Sequence, residues 1–235
     1  MNQPQDNERY GLKAFVDGVF DALYPSNVAC RLCNSETILG EDCLCDNCRA
    51  TLIPCPPMTA PEPLDGLSAA FVYNGGGASL GIHALKYAKQ TRLAEFFGSA
   101  MRLPEEWHID AVVPVPLHPL KLWLRTYNQS ELLAQVVCRQ YGLPLEKKLL
   151  FRTRFTRTQT ALDADARTKN VSNAFSASPA AAGRSILLVD DVTTTHSTLL
   201  ACAAALKKAG AAHVYAVCAC SAEKELLRSV NKETE

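Results

Sequence analysis

The sequence lacks the long hydrophobic runs of membrane proteins and any overall excess of charge of one sign. No stretch reaches about 18 uninterrupted apolar residues, so no transmembrane helix is predicted. The first 30 residues mix charged side chains with apolar ones, which argues against a signal peptide. We therefore expect a soluble, cytoplasmic protein, with the inner face of the membrane as a further expected location. Because 48% of the 235 residues are hydrophobic, the chain can bury a core and is not predicted to be disordered.

The sequence also lacks an internal repeat, a recognisable catalytic triad and histidines at metal-ligand spacing. Its 24 basic and 24 acidic residues balance, but their distribution is uneven. Residues 111–184 hold eleven basic and four acidic side chains. Such a basic zone can meet phosphate groups, although a solvated basic face is the simpler explanation.

Cysteine is abundant, and six of the ten cysteines fall within residues 30–55. Four of them form two close pairs, Cys30-x2-Cys33 and Cys45-x2-Cys48, which is the spacing of a tetrahedral zinc site. Zinc binding contributes an apparent ~10–16 kcal/mol, more than a short segment with little core can supply by burial. We predict a closed structural zinc site. Cys43 and Cys55 remain alternative ligands, and an iron–sulfur cluster is a minor alternative.

The chain is predicted to contain a small cysteine module and a larger α/β domain. Residues 10–24 have the apolar spacing of an amphipathic helix, and residues 54–66 contain five prolines, which is typical of a connector. We therefore place an N-terminal helix and zinc module at 1–60, an α/β domain at 61–222 and a charged tail at 223–235.

The larger domain is predicted to contain a parallel sheet covered by helices on both faces. Apolar strands alternate with helical segments along the chain, and this order favours a parallel sheet. The predicted strands are 69–75, 109–117, 185–191 and 212–220; the predicted helices are 79–102, interrupted near Gln90, then 128–142 and 196–210.

The segment ILLVDDVTTTHSTLL, residues 186–200, contains the candidate ligand site. Asp190 and Asp191 end an apolar strand, and hydroxyl side chains follow at the start of a helix. Ligands of open parallel sheets bind at the carboxyl ends of strands, and a helix start attracts anions. Carboxylates suit ribose hydroxyls or Mg²⁺, while the hydroxyl loop suits a monophosphate. A strand end and helix cap without any ligand would have the same pattern.

Several motifs resemble known families. VDDVTTTHST is similar to the signature of type I phosphoribosyltransferases, in which an acidic pair binds the ribose of phosphoribosyl pyrophosphate and a Thr-rich loop binds its 5-phosphate. IHALKY, VVPVPLH, RTYNQSELLA, the segment 152–175 and the paired cysteines resemble, in the same order, the ComF family of competence-associated phosphoribosyltransferase-like proteins. The resemblance covers roughly residues 20–220.

The resemblance implies a role for each matching residue. Asp190 and Asp191 would be the catalytic, ribose-binding acids. The turn around Val115 would lie beside the pyrophosphate, with Lys86 and Arg125 as cations and Lys121 as a further candidate. The 5-phosphate loop would consist of Thr194, Thr195, His196, Ser197 and Thr198.

The resemblance also implies partners. These are phosphoribosyl pyrophosphate with Mg²⁺, and, through natural competence, single-stranded DNA and DNA-uptake proteins. Two functions stay open: a phosphoribosyltransferase that binds this ligand, and a non-catalytic DNA-binding accessory of DNA import with a vestigial or regulatory pocket. The basic residues between 147 and 169 are candidates for a pyrophosphate contact or a DNA track.

The sequence departs from the phosphoribosyltransferase pattern at two positions. Thr194 stands where purine-salvage relatives have an Asp, so purine salvage is not supported. His196 replaces the loop glycine, and a positive φ there would cost roughly 1–2 kcal/mol. The imidazole would either obstruct the phosphate loop or offer it another N–H.

Overall fold

The computed structural model describes residues 29–36, 44–152 and 174–223. The predicted N-terminal helix at 10–24, Cys43, most of the basic segment 147–169 and the tail from residue 224 lie outside this part of the chain. Within the described residues, no helix is both long enough and apolar enough to cross a membrane.

The centre of the fold is a four-stranded parallel sheet with strand order β1-β6-β5-β2. Its strands are β1 (Gly66–Val72), β2 (Ala111–Pro114), β5 (Ser185–Thr193) and β6 (His213–Ser221). Side chains of the central strand β5 are buried on both faces, which is why this segment is continuously apolar rather than alternating. The predicted parallel sheet is confirmed.

Six helices accompany the sheet in the described residues: α1 (Asp46–Ala50), α2 (Gly77–Tyr87), α3 (Leu93–Ala100), α4 (Pro119–Arg125), α5 (Gln129–Tyr141) and α6 (Ser197–Lys208). The predicted interruption near Gln90 is the break between α2 and α3, where Lys89 has a φ of 55°. The Asn128 side chain caps α5 by accepting a hydrogen bond from the Ser130 backbone N–H, and Gly142 ends that helix with a φ of 67°.

The two faces of the sheet form two hydrophobic cores. Ile186 and Leu188 pack on the side of α6, while Leu187 and Val189 pack on the side of α2, α3 and α5. The second core also contains buried residues of the cysteine-rich segment: Cys30, Leu32, Leu44 and Cys48. That segment therefore packs directly against the α/β core.

Some elements differ from the sequence-based prediction. The short antiparallel pair β3 (Leu150–Arg152) and β4 (Phe175–Ala177), a 3₁₀ turn at Pro179–Ala181 and helix α4 were not predicted. Helix α4 buries none of its seven residues, although Leu120, Trp123 and Leu124 have helical spacing; the segment is too short for that spacing to identify a helix. Strand β2 lies within the predicted segment 109–117 and ends at Pro114, the first of the two prolines that were expected to end it. Strand β5 continues beyond its predicted end to Thr193, because it pairs with β6 as far as Ser221.

Candidate ligand-binding site and cysteine cluster

The acidic pair lies at the carboxyl end of β5 and contacts two helices. Because side chains alternate along a strand, Asp190 and Asp191 point to opposite faces of the sheet. The Asp190 Oδ1 atom accepts a hydrogen bond from Ser130 Oγ of α5 at 2.8 Å and one from the Asp191 N–H at 2.9 Å. Asp191 Oδ1 lies 2.7 Å from Lys86 Nζ of α2. The pair thus joins the start of α5 to the end of α2.

Burial and charge shift the proton equilibria of this cluster. Burial and the neighbouring charge of Asp191 raise the pKa of Asp190 to about 7, although the Ser130 hydrogen bond opposes the shift. Burial of Lys86 works to lower its pKa, but the charges of Asp191 and Asp190 outweigh burial and raise it. Lys86 is therefore a stable cation, and near neutral pH Asp190 is present in both its protonated and its ionised form.

One oxygen of the pair has no protein partner. Among the described residues, Asp191 Oδ2 is a buried acceptor without a hydrogen bond, and Asp191 is only 4% exposed. A buried carboxylate oxygen without a partner is costly, by about 1–3 kcal/mol or more. A hydroxyl donor or a cation that reached this oxygen would remove that cost.

The loop after the acidic pair reverses direction at His196, the residue before α6. Its φ is 58°, so the left-handed backbone of a loop glycine is kept without a glycine. The ring Nδ1 lies 2.8 Å from Thr193 Oγ1, and Nε2 lies 3.8 Å from Glu223 Oε1. The side chain is 12% exposed. The ring is thus held against the strand end by these two contacts.

The hydroxyl groups of the loop surround the start of α6. Thr194 and Thr195 are exposed, and Thr195 Oγ1 hydrogen-bonds to Ser197 Oγ at 3.1 Å. Asp190, Thr193, His196 and most of the hydroxyl residues, including Thr198, line one small hollow. The structure therefore brings the predicted loop residues and one predicted acid together around the α6 N-terminus.

The predicted cations lie around a second cavity of about 300 Å³ beside Lys86. Arg125 stacks over the Tyr87 ring with its Cζ atom 4.8 Å from the ring centroid, and it donates hydrogen bonds to Tyr87 Oη and Gln129 Oε1, each at 3.0 Å. The cavity is lined by Lys86, Tyr87, Lys89, Lys121, Leu124 and Arg125. Four of these six residues are basic, so the cavity favours an anion.

The turn around Val115 is fixed by its own backbone. The Val115 N–H donates to the Val189 carbonyl at 3.0 Å, and the Val115 carbonyl accepts from Asn128 Nδ2 at 3.0 Å. Both the backbone N–H and the backbone carbonyl of Val115 are therefore hydrogen-bonded within the fold. Beyond the turn, α4 exposes apolar side chains, including 76% of Trp123.

The side chains of the four predicted cysteine ligands lie close together. The Sγ atoms of Cys30, Cys33, Cys45 and Cys48 all lie within 4.8 Å of one another, and those of Cys33 and Cys45 are 3.7 Å apart. Two thiolates at about 2.3 Å from a tetrahedral zinc would be separated by about 3.8 Å. The cluster can hold a metal ion, and its donor set and spacing fit zinc.

The four thiols do not ionise alike: burial and the neighbouring cysteines raise the pKa of Cys48. Burial opposes ionisation of the Cys30 thiol, but hydrogen bonds from the backbone of Cys33 and Cys45 outweigh it and lower its pKa to about 6. A metal ligand must be a thiolate. Cys55 lies outside the cluster, and burial raises the pKa of its thiol to about 11.

The predicted basic segment is only partly described. Lys147 forms an ion pair with Glu131, and the Arg152 guanidinium lies over the Phe175 ring at 5.2 Å from the centroid. Arg154, Gln159 and Arg167, which belong to the segment 152–175 that resembles the ComF family, lie outside the described residues.

Three residues of the site were not predicted from the sequence. They are Ser130, which holds Asp190, and Tyr87 and Gln129, which hold Arg125. For Ser130 a signal was present: it lies in the first turn of the helix that follows β2, at the same edge of the sheet as the acids. Nothing local indicated the roles of the other two.

Comparison with known proteins gives three findings. A family profile described as "Phosphoribosyl transferase domain" matches residues 130–235. The DNA utilization protein YhgH of Escherichia coli O157:H7 is 36% identical over 151 residues, 60% of this chain and 66% of that protein, and Competence protein F of Haemophilus influenzae is 39% identical over 113 residues, 47% of each. The chain thus spans just under two thirds of the YhgH protein.

Among solved structures, the allosteric regulatory enzyme of purine biosynthesis is similar with a TM-score of 0.37 and 21% identity. The similarity covers 55% of this chain and 25% of that one.

Proposed function

We propose that the chain is a member of the ComF family that binds phosphoribosyl pyrophosphate with Mg²⁺ and serves DNA uptake in natural competence; the match to a phosphoribosyl transferase domain and the similarity to YhgH and Competence protein F support this. The observation that carries the ligand proposal is the acidic pair. Asp191 is buried and has one oxygen without a partner, and the adjacent Asp190 lies near the N-terminus of α6. A ribose diol or a ribose-bound cation supplies what that oxygen lacks.

The three parts of the ligand match three parts of the site. The ribose hydroxyls lie within reach of Asp190 and Asp191. The 5-phosphate occupies the loop 194–198, where backbone N–H groups and the helix dipole favour an anion by about 0.3–1 kcal/mol each. The pyrophosphate extends toward the basic cavity beside Lys86 and Arg125.

The residues present also fit Mg²⁺, which prefers carboxylate oxygens and usually keeps several waters. Asp191 Oδ2, the oxygen without a partner, would hold it, and its chemistry would be to neutralise charge on the pyrophosphate. Lys86 keeps Asp191 ionised and in place. If the site turns over, this chain contributes orientation and electrostatic support as pyrophosphate leaves, and no nucleophile is needed.

Calorimetry tests the ligand proposal. Wild-type protein with Mg²⁺ is titrated with phosphoribosyl pyrophosphate, and the Asp190→Ala/Asp191→Ala variant serves as comparison. We expect saturable binding by the wild type and a loss of at least about tenfold in the variant, since charge-assisted contacts contribute about 1.5–3 kcal/mol each. Absence of binding by the wild type would refute the proposal.

A second function is favoured by a different observation. Trp123 is 76% exposed and Tyr87 is 62% exposed, and the basic residues Lys89, Lys121 and Arg125 lie beside them. Aromatic side chains among cations are typical of single-strand binding surfaces. In this alternative the protein is a non-catalytic DNA-binding accessory of the import machinery, and its pocket is vestigial or regulatory.

The two functions are separated by single-stranded oligonucleotide binding. In the accessory function, affinity falls steeply with salt and Trp123→Ala lowers it by about 1–3 kcal/mol per lost stacking contact. Trp123→Leu, which keeps an apolar side chain but removes the flat ring, is the matched control for stacking. An affinity that neither variant changes would argue against this surface.

A further inference from the structure

Helix α2 connects the cysteine-rich segment to the acidic pair. At its first residue, the Gly77 N–H donates to Thr51 Oγ1 at 2.9 Å, and Thr51 is the C-terminal cap of α1, the short helix that contains Cys48. The N-cap residue of α2, Gly76, has no side chain to provide this bond. The Gly77 N–H at the start of α2 is therefore satisfied by the cysteine-rich segment, whereas Asn74 and Ser79 take up the N–H groups of the two glycines before it.

Two glycines on α2 allow the cysteine-rich segment to approach very closely. A Cβ atom on Gly77 would lie 2.7 Å from the Cys48 carbonyl oxygen, and one on Gly81 would lie 2.5 Å from Leu32 Cδ2. Leu32 lies between Cys30 and Cys33 and is 2% exposed. The loop that carries the first cysteine pair is thus inserted against α2, and any side chain larger than hydrogen at Gly77 would separate the two backbones.

The other end of the same helix carries the ligand-site lysine. Leu85 is fully buried, and the next residue, Lys86, contacts Asp191 at 2.7 Å. The 11 residues of α2 span about 16 Å, and a continuous helix transmits a shift of one end to the other. The position of Lys86 therefore depends on how α2 is fixed at Gly77 and Gly81.

We propose that the metal-bound cysteine segment acts as a positioning element for Lys86, through Thr51 and the glycine contact on α2. Loss of the metal, or loss of the Thr51–Gly77 contact, shifts α2 and separates Lys86 from Asp191. Where the proposed function holds, the same change weakens binding of phosphoribosyl pyrophosphate. Only this last consequence rests on the proposed function.

Lysine reactivity measures the position of Lys86 without any ligand. The full-length protein is treated briefly with an amine-acylating reagent, and modification is quantified for individual lysines by mass spectrometry. In the wild type, Lys86 is protected by burial and by its ion pair, whereas the exposed Lys89 is not. Lys207 pairs with Asp65 at the opposite edge of the sheet and reports general loosening of the fold.

Three perturbations are compared: removal of the metal with a chelator, Thr51→Val and Gly77→Ala. Thr51→Val keeps the side-chain shape and all four cysteines and removes only the hydroxyl, so it is the mildest. Gly66→Ala is the matched control, because its Cβ would lie 2.5 Å from Trp107, and β1 contains none of the four clustered cysteines and none of the residues named above that contact α2. Metal content is measured for each variant.

We expect acylation of Lys86 to rise about tenfold or more in the three perturbed proteins, since a hydrogen bond to a charged group contributes about 1.5–3 kcal/mol. Lys207 stays unchanged, and Gly66→Ala behaves as the wild type. Unchanged protection of Lys86 in metal-free protein or in Thr51→Val overturns the inference. A parallel rise at Lys207 also overturns it, because the cysteine segment would then stabilise the whole fold without directing Lys86.

A ligand arm separates this inference from the proposed function. Calorimetry with phosphoribosyl pyrophosphate and Mg²⁺ is performed on metal-loaded Thr51→Val and on Lys86→Met. We expect both to lose affinity, and the double variant to lose no more than Lys86→Met alone. Full additivity overturns the coupling. If the wild type does not bind, the proposed function fails while the lysine reactivities still decide whether the segment positions Lys86.

Discussion

Replacing Asp190 with asparagine should stabilise the protein at alkaline pH and should prevent binding of the proposed ligand, phosphoribosyl pyrophosphate. The substitution keeps an oxygen that can accept from Ser130 and from the Asp191 N–H, and it removes a charge that burial disfavours. The wild-type carboxyl has a pKa of about 7 in the folded protein against 3.8 for the ordinary value. The folded state therefore binds this proton more tightly than the unfolded state does.

The sign and size of the effect follow from proton linkage. Below about pH 4 the raised pKa of Asp190 does not destabilise the folded protein. As the pH rises toward the folded value near 7, the free energy of unfolding falls, and it levels off above that value. The advantage of Asp190→Asn is at most about 2 kcal/mol at pH 5.5 and about 4 kcal/mol at pH 8, because one pKa unit corresponds to 1.36 kcal/mol. Asp190 keeps partial contact with solvent, so we expect about half of these values.

Urea unfolding followed by circular dichroism at the two pH values measures this difference. Asp65→Asn is the control of opposite sign. Although burial works to raise the pKa of Asp65, contacts with Lys207, the Val214 N–H and His213 outweigh burial and lower it. Asp65 stabilises the fold above its unfolded pKa and loses that contribution as the pH falls through the folded value, so Asp65→Asn should be destabilising at pH 8. An Asp190→Asn protein that is no more stable than the wild type at pH 8, or whose advantage does not grow with pH, would refute the reasoning.

Three further outcomes are expected. Cys45→Ser should lose the metal, about one ion per chain in the wild type, and residues 44–52 should lose the stabilisation that the metal provides, although serine can still cap α1; elemental analysis and amide exchange of residues 44–52 measure both, and retained metal would implicate Cys43 or Cys55. Ser130→Ala should raise the pKa of Asp190 further, because a hydrogen bond to its charged form is lost, and carboxyl titration by NMR should show an upward shift rather than none. His196→Gly removes about 1–2 kcal/mol of backbone strain together with the Thr193 contact; a gain in affinity for phosphoribosyl pyrophosphate would mean that the ring obstructs the loop, and a loss would mean that it contributes.

The fold was largely predictable because its core follows local patterns. Each apolar strand could be recognised from its own composition, and Asn128 and Gly142 bounded α5 by ordinary capping chemistry. The two cysteine pairs needed only their spacing. Helix α4 was not predicted, because its apolar residues are exposed and seven residues are too few for apolar spacing to distinguish a helix from a loop.

The site was predictable only in part, because some of its contacts come from residues that are distant in the sequence. A strand end followed by hydroxyl residues marked Asp190, Asp191 and the loop. The contacts that tune these acids come from Ser130, 60 residues earlier, and from Lys86 on another helix. Nothing in the local sequence specifies such distant pairings, and the resemblance supplied Lys86 as a cation without its partner.

The pairing of β5 with β6 up to Thr193 and Ser221 has a consequence for how binding proceeds. The acids lie on a strand whose pairing with β6 continues past them, so the ribose end of a ligand meets a preorganised surface and little conformational entropy is lost there. The opposite holds for α4, which contributes Lys121 and Arg125 from a helix without buried residues. Ribose 5-phosphate alone should therefore keep most of the affinity, and the pyrophosphate should add less than its charge suggests, because ordering α4 offsets part of the gain.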